Sequence, residues 1–192
     1  MFNYRAIAVP ALAVTTVSAL SACTTDSTDP QAPEQTEQES AKTFNDADVE
    51  FTTGMIPHHQ QAVDMSEMAL KQGGPEVVDL AEQIEAAQDP EIDTMTGWLQ
   101  EWGVDVPTGM GDMGDMGMMS PDEMQDIMDA QGQEFDTLWL EMMIEHHEGA
   151  ISMSITEQEE GFDPEAVDLA GTIIDAQREE IDEMKQMLES DG

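Results

Sequence analysis

Two short stretches hold every histidine of the chain: "MIPHHQQAVDM", Met55 to Met65, and "MIEHHEGAISM", Met143 to Met153. Each carries an adjacent pair of imidazoles bracketed by methionines. Imidazole and thioether together suit soft or borderline metals, above all Cu(I) and Cu(II). Calcium and magnesium want oxygen donors. Zinc would accept the histidines but has no use for the sulfurs. The candidate metal ligands are therefore His58, His59, His146 and His147, with Met55 and Met143 as soft partners about one helical turn away. Met65 and Met153 complete the two motifs. A rise of ~1.5 Å per residue puts Met65 ~9 to 10 Å from its own pair, too far to share one metal with it. Met65, Met153, Met95 and Met184 thus form a separate layer or simply the core.

The competing explanation is a methionine-rich core whose histidines bond to glutamine. For methionine alone that explanation wins, because methionine packs cores readily. For paired histidines at matched positions the metal reading is the stronger. Four neutral imidazoles buried together are costly unless they are hydrogen-bonded or bound to something.

A second set of sulfurs lies in "TGMGDMGDMGMMSPDEM", where Met110, Met113, Met116, Met118 and Met119 alternate with glycine and aspartate. They have no helical period, and exposed thioethers oxidise easily. Core packing is not expected to account for them. A low-complexity linker and a mobile Cu(I)-capturing cluster both fit this composition.

An internal repeat supplies the elements that must position these residues. His58 and His59 match His146 and His147 at an offset of 88 positions. Downstream, "EVVDLAEQIEAAQDPEIDTM" matches "EAVDLAGTIIDAQREEIDEM" at an offset of 89. Asp79, Leu80, Ala81, Ile84, Gln88, Glu91, Ile92, Asp93 and Met95 all have counterparts, a register that chance would not keep. Each repeat reads as a helical hairpin. The first helix runs from about Asn45 to Gln72 and stops at "GGP". The second opens at Pro75 and ends near Trp102, with a kink expected at Pro90. The third spans about Gln133 to Glu160. The fourth opens at "DPE", capped by Asp163, and ends near Ser190. "SPDE" at Ser120 is a capping box for a short extra helix. No segment alternates like a strand.

The predicted class is all-α, a four-helix bundle of two repeated hairpins over residues 44–190. Repeat one is 44–102, the methionine-rich connector 103–132 and repeat two 133–190. On a helical wheel Met55, His58, His59, Ala62 and Met65 fall within about 120° of arc, the width of a core-facing stripe. Each histidine pair also sits at the midpoint of its helix. All four imidazoles are therefore expected in one central layer, with Gln88 and Gln177 available to orient them. Midpoints meet whether the two histidine-bearing helices run parallel or antiparallel, so their direction stays open.

The start of the chain, residues 1–22, has one early positive charge, a short apolar run and then "LSAC". That order describes a secretory signal rather than a membrane span. Cys23 is the only cysteine, so no intrachain disulfide exists, and "LSAC" resembles a lipobox with Cys23 lipidated. Residues 23–43 then read as a lipidated cysteine and a disordered tether. The expected location is the outer side of the cytoplasmic membrane, in a periplasm or at the cell surface, held only through the lipid. The 43 acidic and 5 basic residues give a net charge of −38, which argues against nucleic acid as a partner. The expected partner is a metal ion, and nothing identifies a protein partner.

The doubled histidine motif, each copy followed by Gln-x-x-Glu-Ile-x-x-Met ("QDPEIDTM", "QREEIDEM"), resembles a bacterial domain-of-unknown-function family. That family has a ferritin-like four-helix bundle and includes CopM-like periplasmic copper-binding proteins. The resemblance covers about residues 44–190. It implies an exported protein linked to copper binding and tolerance, without established catalysis for most members. Two rivals remain. A ferritin-like metal oxidoreductase would need Glu-x-x-His motifs, and neither repeat has one. A structural bundle could instead bind a protein partner through its acidic surface.

Overall fold

The computed structural model describes residues 43–109 and 117–190. The signal segment, Cys23, the tether, Met110, Met113 and Met116 lie outside the described residues. Within them the chain forms α1 (Asp46–Gln72), α2 (Pro75–Trp102), α3 (Pro121–Asp129), α4 (Gln133–Glu160) and α5 (Pro164–Ser190). There is no strand among the described residues, and the class is all-α. None of these helices is long and apolar enough to cross a membrane.

Local chemistry sets the helix ends. Asn45 caps α1, accepting from the N–H groups of Ala47 and Asp48, and Asp48 returns the bond to the Asn45 N–H. Ser120 and Glu123 close the same reciprocal box on α3. Asp163 accepts from Glu165 N and Ala166 N at the start of α5. Gly103 ends α2 with φ 71°, a left-handed turn that glycine adopts without a Cβ clash. Pro57 and Pro90 both lie inside continuous helices.

The hairpins α1–α2 and α4–α5 join through α1 and α4. These two helices are antiparallel, the direction the sequence left open. The Asn45 side chain at the start of α1 donates to Glu160 O at the end of α4, 2.8 Å. At the other end, Gly74 N donates to Asp136 Oδ1 in the first turn of α4, 2.8 Å.

Two apolar clusters fill the interior. One holds Met65, Leu80, Ile84, Trp139, Met143, Ile181 and Met184, and the Trp139 indole N–H is satisfied by Met65 O at 2.9 Å. The other holds Phe51, Met55, Ile56, Met95, Leu99, Ala150 and Ile173. All four long helices contribute to each cluster. The buried stripe of α2 (Val77, Leu80, Ala81, Ile84, Gln88, Met95, Leu99) turns polar at Gln88. That of α5 does so at Gln177. This polar level coincides with the histidines.

A second buried polar contact closes one end of the bundle. Asp48 accepts from Phe162 N and Asp163 N, each at 2.9 Å, as well as from Asn45 N. Burial pushes its carboxyl up, but these N–H groups outweigh burial and hold it below 3.8. Glu157 is buried against it, and no N–H or hydroxyl donor reaches either Glu157 oxygen. Burial, then the facing Asp48, pushes the Glu157 carboxyl up to about 8. Only a protonated Glu157 can bond to Asp48. The folded protein keeps a proton that the unfolded chain releases above pH 4.5, so this stability falls as pH rises towards 8. Glu157→Gln retains a donor without the charge. Urea denaturation above pH 8 should find it about 2 kcal/mol more stable than the parent protein, with little difference at pH 5.

Candidate metal centre

All four histidines are fully buried and lie between the two apolar clusters. His58 of α1 and His146 of α4 meet ring against ring across the α1–α4 junction, centroids 3.7 Å apart and tilted by 38°. His146 and His147 are 6.3 Å apart, centroid to centroid. The four rings thus share one central level.

The outer ring of each pair is held by a carboxylate from the flanking helix of its own hairpin. His59 Nε2 meets Glu91 Oε2 at 2.7 Å, and His147 Nε2 meets Glu180 Oε2 at 2.7 Å. Both carboxylates are 17% exposed while both imidazoles are buried. A carboxylate can only accept, so each Nε2 donates, and in the neutral form of each ring Nδ1 carries the lone pair. Neither Nδ1, of His59 or of His147, has a hydrogen-bond partner.

Gln88 and Gln177 do not orient the histidines. Both are buried at the right level, yet the Gln88 side chain bonds to nothing and Gln177 Oε1 has no donor. The carboxylates one turn further along took the role that the sequence gave to the amides. A charged acceptor makes the stronger bond to an imidazole N–H.

His146 is the electrostatic centre of the layer. Burial, then the neighbouring His58, His147 and His59, hold its proton affinity well below the ordinary 6.5. Neither of its ring nitrogens meets a partner in good hydrogen-bond geometry, and the His58 backbone gives the smallest of its interactions. A buried polar atom left unsatisfied costs ~1 to 3 kcal/mol, and several gather here. Below pH 6.5 the unfolded chain takes up a proton that folded His146 refuses, so stability is lost on acidification. One such imidazole gives a slope of about 1.4 kcal/mol per pH unit. His146→Gln should flatten the fall in stability between pH 6.5 and 5, which denaturation curves across that range would reveal.

The methionines divide by side. Because α1 and α4 are antiparallel, Met55 and Met143 border the layer from opposite faces. Met55 packs with Met95, with Met153 partly buried beside them, and Met143 packs with Met65 and Met184. Each apolar cluster therefore offers thioethers to its own side of the imidazoles. Among the described residues no three His, Cys, Asp or Glu side chains already form a metal-holding group. The layer brings imidazole nitrogens from both hairpins to one level, with its two closest rings tilted against each other.

The connector ends on the histidine helices, which its composition gave no reason to expect. Gln61, one turn after His58, donates to Met119 O at 2.8 Å and accepts from Met119 N at 2.7 Å. Gly117 has φ 74°, and a Cβ there would lie 2.5 Å from Glu145 O and 3.1 Å from the Gly149 Cα. Met119 is buried in the core and Met118 half-buried, so the expectation that packing could not explain the connector sulfurs fails for Met119. An amide closing two backbone bonds, opposite the small Gly149, seats the segment along the α1–α4 groove.

This arrangement defines an all-α protein with one buried imidazole layer shared by two antiparallel hairpins. Residues 48–188 match the family described as "Domain of unknown function (DUF305)", and the chain belongs to that family. A DUF305 fragment from Deinococcus radiodurans superposes with a TM-score of 0.72 at 28% identity, covering 78% of this chain and 99% of that one. A DUF305 protein of Streptomyces coelicolor, assigned as secreted, gives 0.70 at 31%, covering 75% and 91%. CopM in its Cu(II)-bound form gives 0.66 at 37%, covering 74% and 96%. CopM is also solved with Cu(I), with silver and in the apo form. No curated protein sequence matches significantly.

Proposed function

We propose that this chain is an exported copper-binding protein that sequesters copper in the histidine layer. The observation that carries the reading is the pair of His–carboxylate contacts, each leaving an unpartnered Nδ1 in the same buried level. A carboxylate behind a histidine is the arrangement that orients metal-ligating imidazoles and raises their basicity. A structural layer has no reason to leave those atoms bare. His59, His147 and His146 supply ring nitrogens, His58 completes the level, and Met55 and Met143 offer sulfur from either side. That mixed set suits copper in both oxidation states. The Cu(I)- and Cu(II)-bound forms of CopM support copper as the cargo.

Export rests on "LSAC", on the apolar run before it, and on the secreted assignment of the Streptomyces relative. Lipidation of Cys23 would hold the protein on the outer side of the membrane, with residues 24–43 as the tether. Met110, Met113, Met116 and Met118 would serve as a Cu(I)-capturing cluster feeding the groove in which Met119 is seated.

The test is a metal titration at pH 7 with Cu(I), Cu(II), Fe(II) and Mn(II). Tight stoichiometric uptake of copper, with iron and manganese weaker by at least about 100-fold, is expected from the donor set. Preference for iron or manganese would favour the oxidoreductase reading. A bundle that takes up no copper would be structural.

A further inference from the structure

A separate group of sulfurs sits at the docking point of the short helix. α3 packs on α4 and reaches the second half of α1, where Gln72 Nε2 donates to Ile127 O at 3.4 Å. Between them runs a cleft of about 390 Å³, lined chiefly by Asp64, Glu67, Met68, Lys71, Met124 and Met128. Met124 and Met128 are one turn apart on α3, so they share a face of that helix. Met68 lines the same cleft from α1. Met68 and Met124 are partly buried against the core, but Met128 is 52% exposed. Leucine would cover the same core without an oxidisable sulfur at the surface.

The repeat provides an internal control. In α4 the positions equivalent to Asp64, Glu67 and Met68 are Ser152, Ile155 and Thr156. The hairpin fold therefore does not require a methionine or two carboxylates there. They occur only at the α1 positions that face α3 across the cleft.

We infer that this cleft is a second metal site, independent of the histidine layer, in which Met68, Met124 and Met128 bind Cu(I) and Asp64 balances its charge. Three thioethers without an imidazole favour a soft monovalent ion over Cu(II) or zinc. Lys71 is engaged with Glu67 at 3.1 Å, which offsets the one cation lining the cleft.

Silver(I) is the probe, because it matches Cu(I) in charge and softness and is redox-inert. The protein would carry ¹³C-methyl methionine, with the three signals assigned through Met68→Leu, Met124→Leu and Met128→Leu. At pH 5, where protonation weakens the imidazoles as ligands and leaves thioethers unchanged, the three methyl signals should shift on one common curve. In a Met124→Leu/Met128→Leu protein, the remaining Met68 signal should respond at least about 10-fold more weakly. Three unmoved signals, three unrelated curves, or an equal response of every methionine in the chain would each overturn the site. The imidazole signals, followed in the same titration at pH 7, report the histidine layer separately, so either site can fail alone.

Discussion

Replacing His58, His59, His146 and His147 together by alanine is expected to lower copper affinity at pH 7 by at least about 10³-fold. The estimate follows from the supporting carboxylates, whose loss alone typically costs 10- to 100-fold, so loss of the ligands themselves must cost more. What remains should resemble the weak, salt-sensitive uptake of a surface with net charge −38. The four alanines also open space in the layer, so a parallel variant with leucine keeps the level filled. Leucine should restore thermal stability without restoring copper. The dependence on pH separates the two kinds of binding. Imidazole must shed its proton to ligate a metal, so the parent protein should release copper as pH falls through about 6 to 5. The depressed proton affinity of His146 shifts that release towards the acid end. If parent and variant hold copper alike across that range, the histidine layer is structural.

The second large effect belongs to Glu91 and Glu180. Glu91→Gln with Glu180→Gln is expected to weaken copper binding by about 10- to 100-fold while leaving the helices intact. Glutamine can still meet the imidazole Nε2, but as a neutral partner. It no longer raises the basicity of the ring, and it can donate through its amide and favour the wrong tautomer. Each single variant should weaken the site, because each carboxylate holds only the histidine of its own hairpin. Gln88→Leu and Gln177→Leu are the controls. Neither amide bonds to a histidine, so their effect on copper should be small. A larger loss from the glutamine-to-leucine pair than from the carboxylate pair would reverse the assignment of roles.

The contrast between those pairs marks how far the sequence could be read. The helices, their caps and the repeat follow from spacing and local chemistry, and the histidine level follows from two helix midpoints. The choice between Gln88 and Glu91 does not. They sit one turn apart on nearly the same stripe, so periodicity places both at the layer. Among 43 acidic residues, a carboxylate is read as solvated unless its surroundings are known. Helix direction was equally hidden, because midpoints coincide either way. It became visible only through contacts between distant residues, such as Asn45 with Glu160 and Gly74 with Asp136. That direction sends Met55 and Met143 to opposite faces. The seat of Met119 on Gln61 has the same origin, since two residues 58 apart in sequence close both bonds.

X-ray absorption at the copper edge tests the central claim most directly, on the parent protein loaded with one equivalent of Cu(II) at pH 7 and then reduced. The account predicts outer-shell scattering from at least two imidazole rings in the oxidised sample, with sulfur joining nitrogen in the first shell on reduction. A first shell of oxygen alone, without imidazole scattering in either state, would contradict it and leave copper on the acidic surface.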